Sequence, residues 1–247
     1  MNLETVNQKI SERPPLEFGA IFSASIALFK KVWLQGFIVL LLTFVTILPF
    51  YIMIYIPIIA AGIAAPELLS SDQPPVMVIV AMVILLPVFL VGVITFGLAL
   101  NAAFLKICKQ NDIDKAANDD YFYFFKQGRL GKVFNLALIM LGLTIVGMLA
   151  CGLGIFYLVV PLSLFPAFLA FNEELSAMEI VRASFALGNK NWLVIFGLVV
   201  IMGVLAEFGV ILCCVGILFT AMLAKVPTYY MYKYGVGFEE VAEYVHE

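Results

Sequence analysis

The sequence predicts an all-α polytopic membrane protein in which six transmembrane helices form three parallel helical hairpins, each preceded by an amphipathic interfacial helix. Composition is the first reason, because 64% of the residues are hydrophobic and 13% are charged, whereas a soluble domain carries about 25% charged residues. The second is a series of long apolar runs, which suit helices that cross about 30 Å of hydrocarbon with roughly 20 residues each. The third is a segment that occurs twice in the chain.

The chain begins with a polar segment, residues 1–15, that we predict to be a tail outside the membrane domain. It ends in Pro14-Pro15 and lacks the short basic stretch and apolar core of a cleaved secretory signal. A single membrane domain is predicted at residues 16–233. Residues 234–247 are predicted to form a cytoplasmic tail.

Six apolar runs within the membrane domain are long enough to be spans. Their predicted limits are residues 32–56, 76–108, 133–150, 155–171, 192–212 and 217–233. The second run is longer than a perpendicular helix needs, so we expect it to tilt or to project beyond the bilayer. Prolines within the spans either bend the helices or free backbone carbonyls for a binding site.

Residues 24–37 recur as residues 183–196 with eight of fourteen positions identical, which indicates a chain built from repeated units. An apolar stripe with helical spacing accompanies each copy. The stripe consists of Phe18, Ile21, Phe22, Ser25 and Leu28 in the first copy, and of Ala177, Ile180, Val181, Ser184 and Leu187 in the second. This pattern predicts an amphipathic interfacial helix that leads into a membrane span.

Both copies contain a Lys-x-Trp sequence, namely Lys31 with Trp33 and Lys190 with Trp192. Indole rings prefer the headgroup region of a bilayer, and lysine ammonium groups face anionic lipid and the cytoplasm. These four residues are therefore predicted to be interfacial anchors. A binding site for an anionic lipid headgroup beneath the interfacial helices is the alternative.

The middle hairpin is predicted to follow residues 121–134, which repeat the order aromatic, basic and apolar. Three such units would be related by an axis along the membrane normal. The turns of the second and third hairpins match at a constant offset of 62 residues. The matching positions are Gly147, Cys151, Gly154 and Ile155 in the second hairpin, and Gly209, Cys213, Gly216 and Ile217 in the third.

The distribution of basic residues predicts the topology. Thirteen of the fourteen Lys and Arg residues lie in residues 1–31, 106–132 and 172–191 or at Lys233. Cytoplasmic loops are enriched in these residues, so both termini are predicted to be cytoplasmic. The exception is Lys225, which lies inside the sixth predicted span.

Three polar residues within the spans form a candidate intramembrane site: Glu207, Lys225 and Asn101. Ionisable groups are costly in a bilayer and are usually paired or functional. If the third hairpin turns near Gly216, Glu207 and Lys225 lie at similar depth and an ion pair between them is expected. A proton or solute relay, or a Lys225 side chain that reaches back toward the cytoplasm, are the alternatives.

No catalytic, cofactor-binding or metal-binding residue is predicted. The chain has one histidine, His246, and its four cysteines lack the spacing of a zinc or iron–sulfur site. We expect these cysteines to be small buried hydrophobic residues. Basic residues are scattered, so no surface for nucleic acid is expected. The acidic pairs Asp119-Asp120 and Glu173-Glu174 are predicted to be solvated loop charges.

Residues 175–192, together with Pro161 and Pro166 in the fourth span, resemble a bacterial family of six-span membrane proteins. This family includes the membrane domain fused to some glycerophosphodiester phosphodiesterases, and many stand-alone relatives of unknown role. The resemblance extends from about Leu16 to Lys233, and it implies the six-span fold and the bacterial cytoplasmic (inner) membrane. It implies no activity, because the chemistry of such fusions belongs to a separate soluble barrel domain.

We therefore expect an integral membrane protein that acts as a non-enzymatic scaffold or accessory module. The alternative is a small transporter or lipid-handling protein with a site at the level of Glu207 and Lys225. A water-accessible cavity at this level would favour the alternative, and a sealed ion pair would favour the scaffold. The expected partners are the lipid bilayer, anionic lipid headgroups and an unidentified membrane protein, and no cofactor is expected.

Overall fold

The computed structural model describes residues 1–64, 75–113, 119–126, 128–150, 152–211 and 216–238, and these residues contain helices and no strand. The α-helices are α1 (Leu3–Glu12), α2 (Phe18–Ala64), α3 (Val76–Asp112), α4 (Leu130–Leu149), α5 (Leu153–Phe171), α6 (Ala177–Lys190), α7 (Trp192–Ile211), α8 (Gly216–Thr220) and α9 (Val226–Gly235). Two short 3-10 helices comprise Tyr123–Phe125 and Ala221–Ala224. The prediction of an all-α protein is confirmed.

Five helices in the described part of the chain are long and apolar enough to cross a membrane. These candidate spans are Phe18–Ile63, Val76–Asp112, Leu130–Leu149, Leu153–Phe171 and Trp192–Gly209. They correspond to the first five predicted spans. Five candidate spans in one chain indicate a multi-pass membrane protein. Helix α2 is longer than predicted, because its 47 residues continue through Pro49 and Pro57. At 1.5 Å per residue it measures about 70 Å, more than twice the thickness of the bilayer core.

The sixth predicted span, residues 217–233, is not one continuous helix. It consists of α8, the 3-10 helix Ala221–Ala224 and α9, and Lys225 lies at the start of α9. Pro227 is in the first turn of α9, where a residue without an N–H fits. Deeper in a helix, a proline would remove a hydrogen bond and clash with the preceding turn. The interruption directly precedes Pro227, one of the prolines that were predicted to bend the spans or to free backbone carbonyls.

The first interfacial helix is not a separate element, because α2 runs without interruption from the predicted stripe into the first span. In the second copy, α6 and α7 are separated at Asn191. The Asn191 side chain accepts a hydrogen bond from the Leu16 N–H at 2.9 Å and donates one to the Leu187 carbonyl at 3.3 Å. The equivalent residue in the first copy is Val32, which has no polar side-chain atom. The prediction of a distinct helix is wrong for this copy.

The middle unit, residues 121–134, lacks the predicted interfacial α-helix in its described part. Tyr123–Phe125 form a single 3-10 turn, and α4 begins only at Leu130. Between them, Gly128 has a φ of 86°, a left-handed conformation that ends helical structure and that glycine adopts readily. The prediction of an interfacial helix before the second hairpin is therefore wrong.

The helix that was predicted to lead into the fifth span is present as α6. Its N-terminus is a capping box, in which Ser176 accepts from the Glu179 N–H and the Glu179 carboxylate accepts from the Ser176 N–H. The predicted stripe faces the protein interior. Its buried members are Ile180, Val181, Ser184 and Leu187.

Glycine pairs allow close helix contact on either side of the predicted turns of the second and third hairpins. Gly147 on α4 lies against Gly154 on α5, and a Cβ on Gly154 would come within 2.8 Å of the Gly147 Cα. A Cβ on Gly216 would overlap the carbonyl oxygen of Gly209. The two turns therefore share a requirement for glycine that matches their constant sequence offset.

One of the four cysteines lies among the described residues. Cys108 is buried and free, as expected of a small hydrophobic residue. Cys151, Cys213 and Cys214 lie outside the described residues.

Both ends of the described chain are packed. Residues 1–15, predicted to be a polar tail, contain α1, which contacts α6 and buries Val6 and Ile10. At the other end, Val236 follows α9 and is fully buried. Residues 239–247, which include His246, lie outside the described residues.

Candidate functional site

A cavity of about 560 Å³ lies between α3, α4, α5, α7 and α9. Its volume is typical of small-molecule pockets, which measure about 300–1,000 Å³. Its wall is mostly apolar, but it contains five side chains with polar groups: Asn101, Thr144, Ser163, Lys225 and Thr228. Two residues of the predicted intramembrane site, Asn101 and Lys225, are thus brought to one cavity.

Lys225 lines this cavity and lies where the sixth predicted span is interrupted. Its backbone N–H donates to the Met222 carbonyl at 3.0 Å, and its own carbonyl accepts from the Thr228 N–H at 3.2 Å. The side chain is exposed and lines the cavity. Its ammonium group makes no hydrogen bond or ion pair with any described residue. A cation within a membrane domain and without a counterion favours binding of an anion.

The other polar side chains of the cavity differ in what they offer a ligand. Asn101 donates one amide hydrogen to the Gly97 carbonyl at 2.8 Å and retains a second. Thr144 and Ser163 donate their hydroxyl hydrogens to carbonyls of their own helices, at 2.8 and 2.7 Å. The Thr228 hydroxyl makes no hydrogen bond within the described part of the chain. Lys225, Thr228 and Asn101 can therefore donate to a ligand.

Glu207 is not part of this cavity. It lies on α7 with an exposed side chain, and it is not among the residues of the cavity wall. Among the described side chains, no ion pair joins Glu207 to Lys225. The expected ion pair is therefore absent from this structure. The apparent match in depth came from counting residues outward from the turn, which assumes a regular helix on both sides.

Lys190, predicted to be an anchor that faces lipid, instead binds the C-terminal end of α1. Its ammonium donates to the carbonyls of Ile10, Ser11 and Arg13 at 2.5, 3.1 and 2.6 Å. The last carbonyls of a helix have no partner within the helix, and a cation there is favourable. Lys190 therefore joins α1 to α6.

The remaining predicted anchors are exposed, as Lys31 and Trp33 are, or partly buried, as Trp192 is. The Trp192 indole is partly buried and donates to the Tyr157 carbonyl at 3.3 Å. Trp33 is 44% exposed and its ring lies 6.0 Å from that of Phe219. Lys31 is exposed. An anchoring role in the headgroup region stays a prediction for Lys31, Trp33 and Trp192.

Sequence reasoning missed a polar cluster around Asp112 at the end of α3. The Asp112 carboxylate accepts hydrogen bonds from the hydroxyls of Tyr229 and Tyr230, at 2.7 and 2.8 Å. It also forms an ion pair with Lys233. These contacts fix α9 to α3, and they join positions 117 to 121 residues apart. The acidic residue and the tyrosines were visible in the sequence, but nothing in it indicated that they meet.

Glu173 forms a second cluster at the same end of the bundle. Its carboxylate pairs with Lys106 at 2.7 Å and with Arg129 at 3.6 Å, and it accepts a hydrogen bond from the Tyr123 hydroxyl. Partial burial raises the pKa of this carboxyl group, but the hydrogen bonds from Lys106 and Tyr123 outweigh burial and hold the pKa below its usual value. Glu173 therefore has partners where a solvated charge was predicted.

Other contacts show that many of the basic segments meet at this end, which we call the basic end. The N-terminal amine pairs with Glu174 at 2.9 Å. Arg13 donates to the carbonyls of Lys233 and Tyr234, each at 3.0 Å.

Comparison with models of protein families, with curated proteins and with solved structures gives no match to this chain.

Proposed function

We propose that this multi-pass membrane protein is a non-enzymatic transporter or lipid-handling protein that binds a small molecule in the cavity at Lys225. One observation carries the proposal: a cavity between the membrane helices contains a lysine without a partner in the described part of the chain. Charged residues inside membrane domains commonly mark substrate pathways when they are not paired. A purely structural scaffold has no need for such an arrangement.

The interrupted sixth span supports the same proposal. Transporters often place binding groups where a membrane helix is broken, because irregular backbone is tolerated where it lines a cavity. Here the interruption carries Lys225, and Thr228 follows in the first turn of α9. The six-span topology, with α8 and α9 together as the sixth crossing, is part of the proposal.

The orientation that we propose rests on the basic end. Cytoplasmic segments are enriched in Lys and Arg, so the basic end would face the cytoplasm with both termini. The bacterial cytoplasmic membrane, and membership of the six-span family, are proposed from the sequence resemblance alone.

A cysteine-labelling experiment tests whether water reaches the cavity. In a variant whose four native cysteines are replaced by alanine, Ser163→Cys places a thiol in the cavity wall. Ser184→Cys is the matched control, because Ser184 is fully buried. We expect a small charged methanethiosulfonate reagent to modify the protein with Ser163→Cys and to leave the protein with Ser184→Cys unmodified, as mass spectrometry of the intact protein would show.

Equal resistance of both thiols to the reagent would contradict the proposal. A sealed cavity gives a solute no route to Lys225. The scaffold hypothesis would then be favoured.

A further inference from the structure

We propose that the ligand of the Lys225 cavity is an anionic amphiphile, a molecule with one anionic head group joined to an apolar chain. This inference rests on the proposed function and specifies the class of molecule that the cavity binds. It follows from the charge of the cavity, from the donors near Lys225 and from the apolar remainder of the wall.

Charge selects the head group. Lys225 is the single ionisable residue of the cavity wall, and no carboxylate lines the cavity among the described residues. An anion next to the ammonium group replaces water with a charge-assisted hydrogen bond, which is stronger at low dielectric. A cationic ligand would instead be repelled, and a neutral one would leave Lys225 without a counterion.

Hydrogen bonding supports an oxyanion as the head group. Thr228 lies one turn from Lys225 on α9, and its hydroxyl can donate to a second oxygen. Asn101 on α3 retains an amide hydrogen for the same purpose. A carboxylate or phosphate offers several acceptor lone pairs and can use these donors together with the ammonium group.

The rest of the wall suits an apolar chain. Side chains from four helices contribute to it, including Leu98, Met140, Ile155, Leu162 and Val199. An alkyl chain gains free energy by leaving water for such surroundings, at about 0.8 kcal/mol per buried methylene group. A small inorganic anion would leave this surface unused.

Thermal unfolding in an uncharged maltoside detergent tests the inference with defined probes. Sodium laurate, kept below its critical micelle concentration, supplies an anionic head and a twelve-carbon chain, and saturating laurate is expected to raise the Tm by about 5 °C. Dodecanol matches the chain without the charge, and acetate matches the head without the chain. Neither is expected to shift the Tm comparably.

Phosphatidylglycerol is the second anionic probe. It distinguishes a membrane phospholipid from a free carboxylate as the source of the head group, because it carries a phosphodiester. A Lys225-dependent shift with either probe supports the inference, and the larger shift identifies the source.

Paired lysine variants assign the effect to the cavity. Lys225→Met is expected to lose most of the Tm shift, since it removes the charge and keeps an unbranched apolar side chain. Lys30→Met is the control, because Lys30 is exposed on α2 and does not line the cavity. It is expected to retain the full shift.

Two results would overturn the inference: an equal shift with dodecanol, or a full laurate shift in the Lys225→Met protein. Neither result would contradict the proposed function if the thiol of Ser163→Cys is modified, because a water-accessible cavity could then hold another class of ligand. An unreactive Ser163→Cys thiol would instead remove the basis of both.

Discussion

Lys225 lines a cavity without the kind of partner that several other lysines of the described bundle have. Lys106 and Lys233 pair with carboxylates, and Lys190 binds three carbonyls. Lys225 has no such partner in the described residues, although it is the lysine placed deepest in a predicted span. A charge within a membrane domain is costly without a partner, and this is why we propose a ligand for Lys225.

Glu173 gives a pH-dependent contribution to stability. Because its pKa is lower in the folded protein than in the unfolded chain, its contribution is present above the unfolded pKa, near the usual value for Glu. It is lost as the pH falls through the folded pKa. The carboxylate is partly exposed, so we expect at most about 1 kcal/mol.

The Glu173→Gln variant tests this expectation. Its Tm is expected to lie below that of the original protein at pH 7 and to converge with it as the pH falls below about 4. Glu174→Gln is a useful comparison, since Glu174 contacts only the N-terminal amine in the described residues and has a side chain 77% exposed. A Tm difference for Glu173→Gln that stays constant from pH 7 to pH 3 would contradict the assignment.

At the scale of elements, the two copies of the repeated segment show how one residue changes a helix. Ser25 and Ser184 occupy equivalent positions, and both are fully buried without a hydrogen-bond partner in the described part of the chain. The packing environment is thus similar up to this point. Seven positions further on, Val32 continues α2 and Asn191 interrupts the second copy. Sequence similarity predicted the common helix but not its different end.

The glycine contact at the turn of the second hairpin makes a second element-scale prediction. Gly154→Ala would bring a methyl group within 2.8 Å of the Gly147 Cα. Because backbone must move to relieve this contact, we expect a loss of about 1–3 kcal/mol in unfolding free energy. Reversible unfolding in mixed detergent and dodecyl sulfate micelles would measure it.

Gly142→Ala is the matched control within α4. Apart from its chain neighbours and the backbone of its own helix, no atom lies within 4 Å of a Cβ at Gly142, and alanine has the higher helix propensity, by about 1 kcal/mol. We expect this variant to be as stable as the original protein or more stable. If Gly154→Ala behaves in the same way as Gly142→Ala, the close α4–α5 contact is not needed.

At the scale of the whole molecule, the proposed topology can be tested from both sides of the membrane. Ser71→Cys and Asn118→Cys lie outside the described residues, in connections predicted on opposite sides. We expect an impermeant maleimide added to intact cells to label Ser71→Cys only, and inverted membrane vesicles to expose Asn118→Cys. Labelling of both thiols from one side would exclude the proposed topology.

The sequence predicted those features that depend on local pattern. Apolar length was sufficient for the first five spans, and the capping residues and apolar stripe were sufficient for α6. Glycine spacing indicated the matching turns. These features need only residues that are close in the chain.

Features that depend on distant contacts were not predicted. Pro227 indicated an interruption of the sixth predicted span, but it did not indicate the 3-10 helix before it or the cavity that Lys225 lines. Asn101 and Lys225 of the candidate site line one cavity, and Glu207 is not part of its wall. Asp112 and Glu173 gained their partners through contacts between positions 44 to 121 residues apart.

The interruption in the proposed sixth crossing also bears on how the protein is made. A short α8, a 3-10 turn and a lysine form a weak insertion signal, since one lysine at the centre of a membrane helix costs about 2.5–3.5 kcal/mol during insertion. The strongly apolar α7 is synthesised immediately before it and can enter the bilayer first. The segment with α8 and α9 would then partition against helices already in place, so membrane integration of the proposed sixth crossing would depend on the bundle that the earlier segments have formed.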